Sequence, residues 1–292
     1  MKKANRILTV LIFIFLYVPM AVLIVASFNT GKDITQFEGF TLRQYARLFQ
    51  DRTLLKLLGN SLLVSILASL TATVFGTVAS LGIYNLNPRL RKAAMTLTNI
   101  PMTNPDIVTG VSLSLLFVFV GTRMLGQRNS LTFWTLLIAH ITFDVPYVIL
   151  SVLPKLRQLD PNIAEAAQDL GATNLYAFFK VVLPELMPGI VSGMLIAFTM
   201  SIDDFLISYF TAGSQTSTLS MVVYSMVRRR VSPEINALST LMFLAVLVLL
   251  IIINLRQGSG SRHGRGKGSA SPAAEGILSL ENEGLDSSVQ DR

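Results

Sequence analysis

Four aspartates stand inside long apolar stretches of this 292-residue chain, where a carboxylate is costly and is usually functional. They are Asp106, Asp144, Asp203 and Asp204, and each lies at a depth close to the middle of a bilayer. No Lys or Arg occurs at that depth to neutralise them. The excess of negative charge predicts a water-filled path with affinity for cations.

Aromatic residues accompany these carboxylates along the chain. The face of an aromatic ring attracts an ammonium group by about 0.5–2 kcal/mol, so rings beside carboxylates suit an organic cation. We therefore predict that the substrate path contains, besides the four aspartates, the aromatic residues Phe143, Tyr147, Phe205 and Tyr209.

Each carboxylate also has a structural interpretation. A single aspartate in a membrane can serve only to hydrogen-bond a neighbouring helix, and Asp106 could cap a restarting helix. His140 and Asp144 are spaced i, i+4 on a predicted helix and could pair only with each other. Adjacent residues on a helix point about 100° apart. One of Asp203 and Asp204 could therefore face the path while the other contacts a neighbouring helix.

The composition identifies the elements that hold these residues. Hydrophobic residues make up 51% of the chain and charged residues only 14%, with a mean hydropathy of +0.57. An ordinary soluble protein has about 25% charged residues. Runs without Lys or Arg that are long enough for a transmembrane helix predict an all-α integral membrane fold with six spans. These runs are 8–28, 61–84, 93–120, 132–153, 190–210 and 235–255.

The third run is longer than one span needs and contains Pro101 and Pro105. A proline removes a backbone donor and disfavours helix at the preceding residue. We expect the helix to be broken near Pro101–Pro105, with its backbone buried in protein or lining a cavity. A tilted helix with one kink is the alternative.

The ends of the chain differ in character. Lys2, Lys3 and Arg6 precede the first run and favour a cytoplasmic N-terminus. An even number of spans then places the C-terminus inside too. The first run is too long for a signal peptide and is interpreted as an uncleaved anchor. A membrane domain is expected over 1–255 and a disordered cytoplasmic tail, rich in Gly and Ser, over 256–292.

Several kinds of chemistry are excluded by composition. The chain has no cysteine and two histidines, too few ligands for a metalloenzyme built on His140 and Asp144. Gly266-Lys267 lacks the other residues of a phosphate-binding loop, so no nucleotide site is expected. The basic residues are scattered between apolar runs, which argues against nucleic acid. We predict a transport protein without catalytic residues, metal or cofactor.

A long loop, 154–189, joins the fourth and fifth runs, and loops of this length usually carry function. Asp160 followed by Pro161 predicts a helix start, and an apolar stripe follows at helical spacing. Gly171 fits the position past the helix end, and a second short helix should stop before Pro184. The loop is therefore predicted to be helix, glycine turn, helix, with a small-residue face for a partner. A helix lying on the lipid surface is the alternative.

This loop resembles the EAA loop of ABC-importer permease subunits. The residues that carry the resemblance, and to which it assigns the coupling to an ATPase, are Glu165, Ala166, Ala167, Gly171, Leu183 and Pro184. Other segments are similar to spermidine/putrescine permeases of the PotC type, namely 105–108, 140–143, 201–204, 224–227 and 231–238.

The resemblance implies a type I ABC-importer permease fold in a bacterial inner membrane. It implies a second, homologous permease subunit, two ATPase subunits below, a polyamine-binding protein outside, and lipid around the spans. ATP hydrolysis would reside in the partner, and the chain would move spermidine or putrescine by alternating access. The alternatives are an ion-coupled secondary transporter of a small organic cation, or an ABC permease for a different solute.

Overall fold

The computed structural model describes residues 2–31, 37–124, 126, 130–214, 216–229, 236–244, 246–248 and 251. The described residues up to 248 belong to one compact unit, Met1–Val248. Within these residues the chain is helical, with connecting turns and one isolated bridge between Asn29 and Phe40. The predicted tail, 256–292, lies outside the described residues, as does most of the sixth run beyond Val248.

In chain order, the helices are α1 (Lys2–Ser27), α2 (Arg43–Gln50), α3 (Arg52–Asn85), α4 (Pro88–Thr103), α5 (Asp106–Arg123), α6 (Phe133–Gln158), α7 (Ile163–Asp169), α8 (Asn174–Ala177), α9 (Leu183–Asp203), α10 (Leu206–Thr211) and α11 (Leu219–Arg229). A π-helical turn, Phe178–Val182, joins α8 to α9.

Five helical stretches within the described residues are long and apolar enough to cross a membrane. They are Asn5–Ser27, Arg52–Asn85, Asp106–Arg123, Phe133–Gln158 and Asn174–Asp203. An all-α membrane protein is therefore confirmed. The described residues of the sixth run, 236–244, 246–248 and 251, are helical.

The core lies where α3, α6 and α9 meet. A Cβ atom added to Gly76 would lie 2.6 Å from the Cβ of Val148, and one added to Gly193 would lie 3.1 Å from the Val148 Cα. These small residues let the helices approach closely, as is common in membrane bundles. The surrounding core residues are fully or almost fully buried and include Ala72, Val152, Leu153, Leu186 and Ala197.

The third run forms two helices. α4 ends at Thr103 and α5 begins at Asp106, with extended backbone at Asn104 and Pro105. Because Pro105 disfavours helical backbone at the residue before it, the interruption falls at Asn104. Pro101, in contrast, lies inside α4. Of the two helices, only α5 is long and apolar enough to cross a membrane.

The fifth run is also interrupted, which differs from the single helix expected over 190–210. α9 ends at Asp203 and α10 begins at Leu206, although no proline lies in this part of the sequence. The C-cap residue Asp204 has an extended backbone, with φ −64° and ψ 125°. The cause of this second interruption must therefore be sought in contacts with other helices.

The loop between α6 and α9 begins as predicted but with a shifted helix start. Asp160 accepts a hydrogen bond from the Asn162 backbone N–H at 2.9 Å, and Pro161 and Asn162 form a turn. α7 therefore starts at Ile163. Gly171 has φ +90°, in the left-handed region that favours glycine, so the predicted glycine turn is confirmed.

The second helix of the loop does not stop before Pro184, and that prediction was wrong. The chain runs helically from Asn174 to Asp203 through the π-helical turn. Pro184 has no N–H for the Lys180 carbonyl, and its ring would clash with that carbonyl in a regular α-helix. A wider turn avoids the clash, so the loop and α9 form one continuous element.

Candidate functional site

The two interruptions lie side by side because α5 packs against α10. A Cβ atom added to Gly110 would lie 3.2 Å from the Phe210 ring and 3.3 Å from the Leu206 carbonyl oxygen. Glycine at this position therefore permits close contact. Asp106, the first residue of α5, is exposed and lies within electrostatic range of Asp204.

The adjacent carboxylates Asp203 and Asp204 have different surroundings. Asp203 is exposed at the end of α9. The Asp204 side chain is 5% exposed and accepts hydrogen bonds from the backbone N–H groups of Ile207, at 3.2 Å, and Ser208, at 2.7 Å. Asp204 thus caps the first turn of α10, while the Asp203 carboxylate is open to the outside of the subunit.

His140 contacts both sides of the second interruption. Its Nδ1 lies 2.8 Å from the Ser201 hydroxyl on α9, and its Nε2 lies 2.9 Å from the Ser208 hydroxyl on α10. The same Nε2 lies 3.7 Å from a carboxylate oxygen of Asp204. The ring nitrogens therefore bind partners on α9 and α10. They do not pair with Asp144, which the i, i+4 spacing had suggested as a possibility.

Asp144 is the isolated carboxylate of the group. It is 0% exposed, and neither of its side-chain oxygens has a hydrogen-bond partner in the described structure. It lies one helical turn from His140 on α6, within electrostatic range of Asp204. Buried polar groups are usually hydrogen-bonded, so a buried carboxylate without a described partner makes Asp144 a candidate site residue.

The four aromatic residues of the predicted path form two pairs. Phe143 is buried, and its ring centroid lies 5.4 Å from that of Tyr147. Tyr147 lies within electrostatic range of both Asp106 and Asp144. The rings of Phe205 and Tyr209 lie 5.5 Å apart, and Tyr209 is 60% exposed. Both pairs therefore border the carboxylates, one from α6 and one from the second interruption.

Several residues of this region were not predicted as site residues. Ser201 and Ser208 bind His140, Ser220 donates from α11 to the Ile202 carbonyl at 2.9 Å, and Tyr224 stacks on Phe205 at 3.8 Å. Ser220 and Tyr224 approach from α11. The sequence signals were that polar residues recur in apolar stretches close to Asp203 and Asp204, and that Ser201 and Tyr224 lie in the segments 201–204 and 224–227 that resemble the permease family.

The loop between α6 and α9 presents a second candidate surface. A hollow of about 490 Å³ is lined by residues that include Ala167, Gly171 and Tyr176. Large apolar side chains beside it are unusually exposed, with Leu170 at 91% and Leu175 at 72%. Of the other predicted coupling residues, Glu165, Ala166 and Pro184 are exposed and Leu183 is half-buried. Apolar side chains left open in this way indicate a surface for a partner.

Comparison with known proteins identifies the family. Residues 72–258 match the model of the binding-protein-dependent transport system inner membrane component. The putrescine transport system permease protein PotI of Escherichia coli is 41% identical over 237 residues, covering 80% of this chain and 83% of that protein. The spermidine/putrescine transport system permease protein PotC of Haemophilus influenzae is 37% identical, covering 82% of this chain and 90% of that protein.

Solved structures agree on the fold. A chain of a bacterial ABC transporter that imports alginate has a TM-score of 0.65 at 20% identity, covering 91% of this chain and 96% of that chain. A chain of the MetNI methionine ABC transporter has a TM-score of 0.54 at 17% identity, covering 75% and 96%. The chain therefore belongs to the family of binding-protein-dependent transport system inner membrane components, and is homologous to the polyamine permeases PotI and PotC.

Proposed function

We propose that this chain is the permease subunit of an ATP-driven, binding-protein-dependent importer that moves polyamines by alternating access. The observation that carries the proposal is the pair of exposed carboxylates, Asp106 and Asp203, at two adjoining helix interruptions. Interrupted helices present charged side chains and helix ends to a substrate in many transporters. A carboxylate pair suits a diamine, and the relatives PotI and PotC are named as putrescine and spermidine/putrescine permeases.

The eight predicted path residues take two roles in this proposal. Asp106, Asp203 and Tyr209 are exposed and would meet the cation directly, with Phe205 and Tyr147 providing ring faces beside it. Asp144, Asp204 and Phe143 are buried behind them and would shape the path and its charge from within the subunit. None of these roles requires a chemical reaction, so the chain is proposed to be a non-enzymatic subunit.

The membrane topology completes the proposal. α4 and α5 together are taken as a broken third span, and the sixth run, 235–255, as the last span. Because basic residues precede the first span and the number of spans is even, both termini are expected in the cytoplasm. The loop between α6 and α9 then lies on the cytoplasmic side, where an ATPase can reach it.

Coupling to ATP hydrolysis is assigned to the loop residues from Glu165 to Pro184. Two ATPase subunits would bind the exposed apolar residues around Leu170, while a second permease and an external binding protein complete the importer. Because the helix is continuous from Asn174 to Asp203, movement of the loop would be carried to the second interruption. This provides a mechanical connection between ATP hydrolysis and the path.

Uptake of labelled putrescine and spermidine into vesicles that contain the whole complex tests the function. We expect uptake to require both ATP and the binding protein. Unlabelled polyamines should inhibit it by competition. Uptake without ATP that uncouplers abolish would instead support an ion-coupled transporter. ATP hydrolysis without polyamine uptake would still support an ATP-driven importer but would contradict the proposal that polyamines are its substrate.

The coupling assignment is tested by Gly171→Val. A β-branched residue at φ +90° is strained by roughly 1–3 kcal/mol, which should displace the turn without touching the spans. We expect the ATPase to be lost on purification and uptake to fall at least about tenfold. Gly82→Ala is the control, since nothing lies within 4 Å of an added Cβ there. Normal ATPase retention by Gly171→Val would contradict the assignment.

A further inference from the structure

His140 is buried at the point where three helices meet. It is 1% exposed and lies on α6, which also forms the tightly packed core with α3 and α9. Its two ring nitrogens bind Ser201, on the last turn of α9, and Ser208, on α10. One side chain from the core therefore holds the two helices on either side of the second interruption.

The hydrogen-bond pattern defines what the ring does. The Ser208 hydroxyl donates to the Asp204 carbonyl oxygen at 3.3 Å, so it is free to accept the Nε2–H of His140. Nδ1 then accepts from the Ser201 hydroxyl. In this arrangement both ring nitrogens and both hydroxyls are satisfied, and the ring acts as a bridge.

The same serine links this bridge to the cap of α10. The backbone N–H of Ser208 donates to the Asp204 carboxylate, and its side chain binds the Asp204 carbonyl. Phe205 alone separates Asp204 from the start of α10, and Asp203 directly precedes Asp204. A shift of the ring would therefore move the cap, and with it the backbone that carries the exposed Asp203 carboxylate.

We propose that His140 is a positioning residue: it anchors the second interruption to α6 and thereby fixes the direction of the Asp203 carboxylate. The substrate part of this inference rests on the proposed function, whereas the anchoring does not. No proline keeps α9 and α10 apart, so the interruption depends on such side-chain contacts. His140 itself does not touch the transported cation.

Three variants separate positioning from simple core packing. His140→Gln keeps one donor and one acceptor, and we expect it to retain most of the function. His140→Leu fills the space but removes the His140 partner of both serines, so that the Ser201 hydroxyl loses its described hydrogen bond and the Ser208 hydroxyl keeps only the Asp204 carbonyl. The triple variant His140→Leu/Ser201→Ala/Ser208→Ala removes both hydroxyls and should recover thermal stability without restoring the anchor. Thr142→Ala is the control, because Thr142 is exposed and binds only its own helix backbone.

The anchoring is measured first without any substrate. The chain has no cysteine, so a single cysteine introduced at a buried position can be labelled cleanly. Ile207 on α10 and Leu186 on α9 are both 0% exposed. In the assembled complex, we expect His140→Leu to raise maleimide labelling of the Ile207→Cys variant at least about tenfold, while labelling of the Leu186→Cys variant stays slow. Equal protection at both positions in His140→Leu would overturn the anchor.

The second measurement is the number of polyamines transported per ATP hydrolysed. A loss of folded protein lowers uptake and ATPase activity together, so the ratio stays constant. If the Asp203 carboxylate points in a different direction, fewer polyamines are transported per ATP. We therefore expect the ratio to fall at least about tenfold in His140→Leu and in the triple variant. A ratio that returns to the wild-type value in the triple variant would overturn positioning. Absence of polyamine uptake by the wild-type complex would instead overturn the proposed function, and the labelling result would still decide the anchor.

Discussion

The two helix interruptions differ in what keeps them open. At the first, between α4 and α5, the chain turns at a proline, and the described hydrogen bonds are local backbone bonds such as Val108 N–H to Pro105 O at 2.9 Å. At the second, between α9 and α10, there is no proline, and side chains from α6 and α11 supply the contacts. The first depends on a covalent property of one residue, and the second on a network spread over four helices, α6, α9, α10 and α11.

This difference should determine how each interruption responds to mutation. At the first interruption, removal of Pro105 eliminates the main obstacle to a continuous helix. Removal of the hydrogen bond from α11 at the second leaves the Asp204 cap and the His140 bridge in place. The comparison can therefore be tested with changes of decreasing expected effect, beginning with the charges that both interruptions present.

The largest effect is expected when both exposed carboxylates are neutralised, in Asp106→Asn/Asp203→Asn. A hydrogen bond to a charged group contributes about 1.5–3 kcal/mol, so each single change should lower uptake about tenfold and the pair about 100-fold. The measurement is initial uptake by the assembled complex. Glu38→Gln, an exposed carboxylate outside both interruptions, is the control and should transport normally. Unchanged uptake in the double variant would show that neither aspartate belongs to the proposed substrate path.

An intermediate effect is expected for Pro105→Ala. A proline opposes continuation of a helix by about 3 kcal/mol, and alanine should let α4 and α5 join and rotate Asp106 away, lowering uptake about tenfold. Amide exchange around residue 105 should become slower as the new N–H enters a helix. Pro101→Ala is the matched control, since Pro101 lies inside α4 and should be replaceable with little effect. Equal losses in the two variants would show that the interruption does not depend on Pro105.

The smallest effect is expected for Ser220→Ala. This change removes the hydrogen bond from α11 to the Ile202 carbonyl at the end of α9. One such bond contributes about 1 kcal/mol and the rest of the network remains, so uptake should fall only about twofold. Ser225→Ala, whose hydroxyl binds the Val222 carbonyl within the same helix, should match the wild type. A loss as large as that of Pro105→Ala would mean that the second interruption is not held by a distributed network.

Much of the fold was predictable because apolar runs in a membrane must form helices. The first, second and fourth runs correspond to α1, α3 and α6. The glycine turn was predictable for the same kind of reason, since Gly171 follows an apolar stripe and its φ of +90° suits glycine. These features depend on properties that each residue carries regardless of its distant neighbours.

Two expectations from local spacing were not met. The i, i+4 spacing suggested that His140 could pair with Asp144, but serines on α9 and α10 bind the ring nitrogens instead, and this outcome depends on how helices pack. Pro184 was expected to end a helix, but the π-helical turn before it accommodates the ring and the helix continues.

The sequence by itself determined the membrane class, the position of the first interruption and the four carboxylates within apolar runs. Each follows from local chemistry: hydropathy, a missing backbone donor, or an uncompensated charge. Only the tertiary structure decided that Asp203 is exposed while Asp204 caps a helix, that Asp144 is buried without a partner, and that His140 bridges α9 and α10. The physical reason is that burial and hydrogen bonding between helices are properties of the packed bundle, which brings together residues that are far apart in the chain.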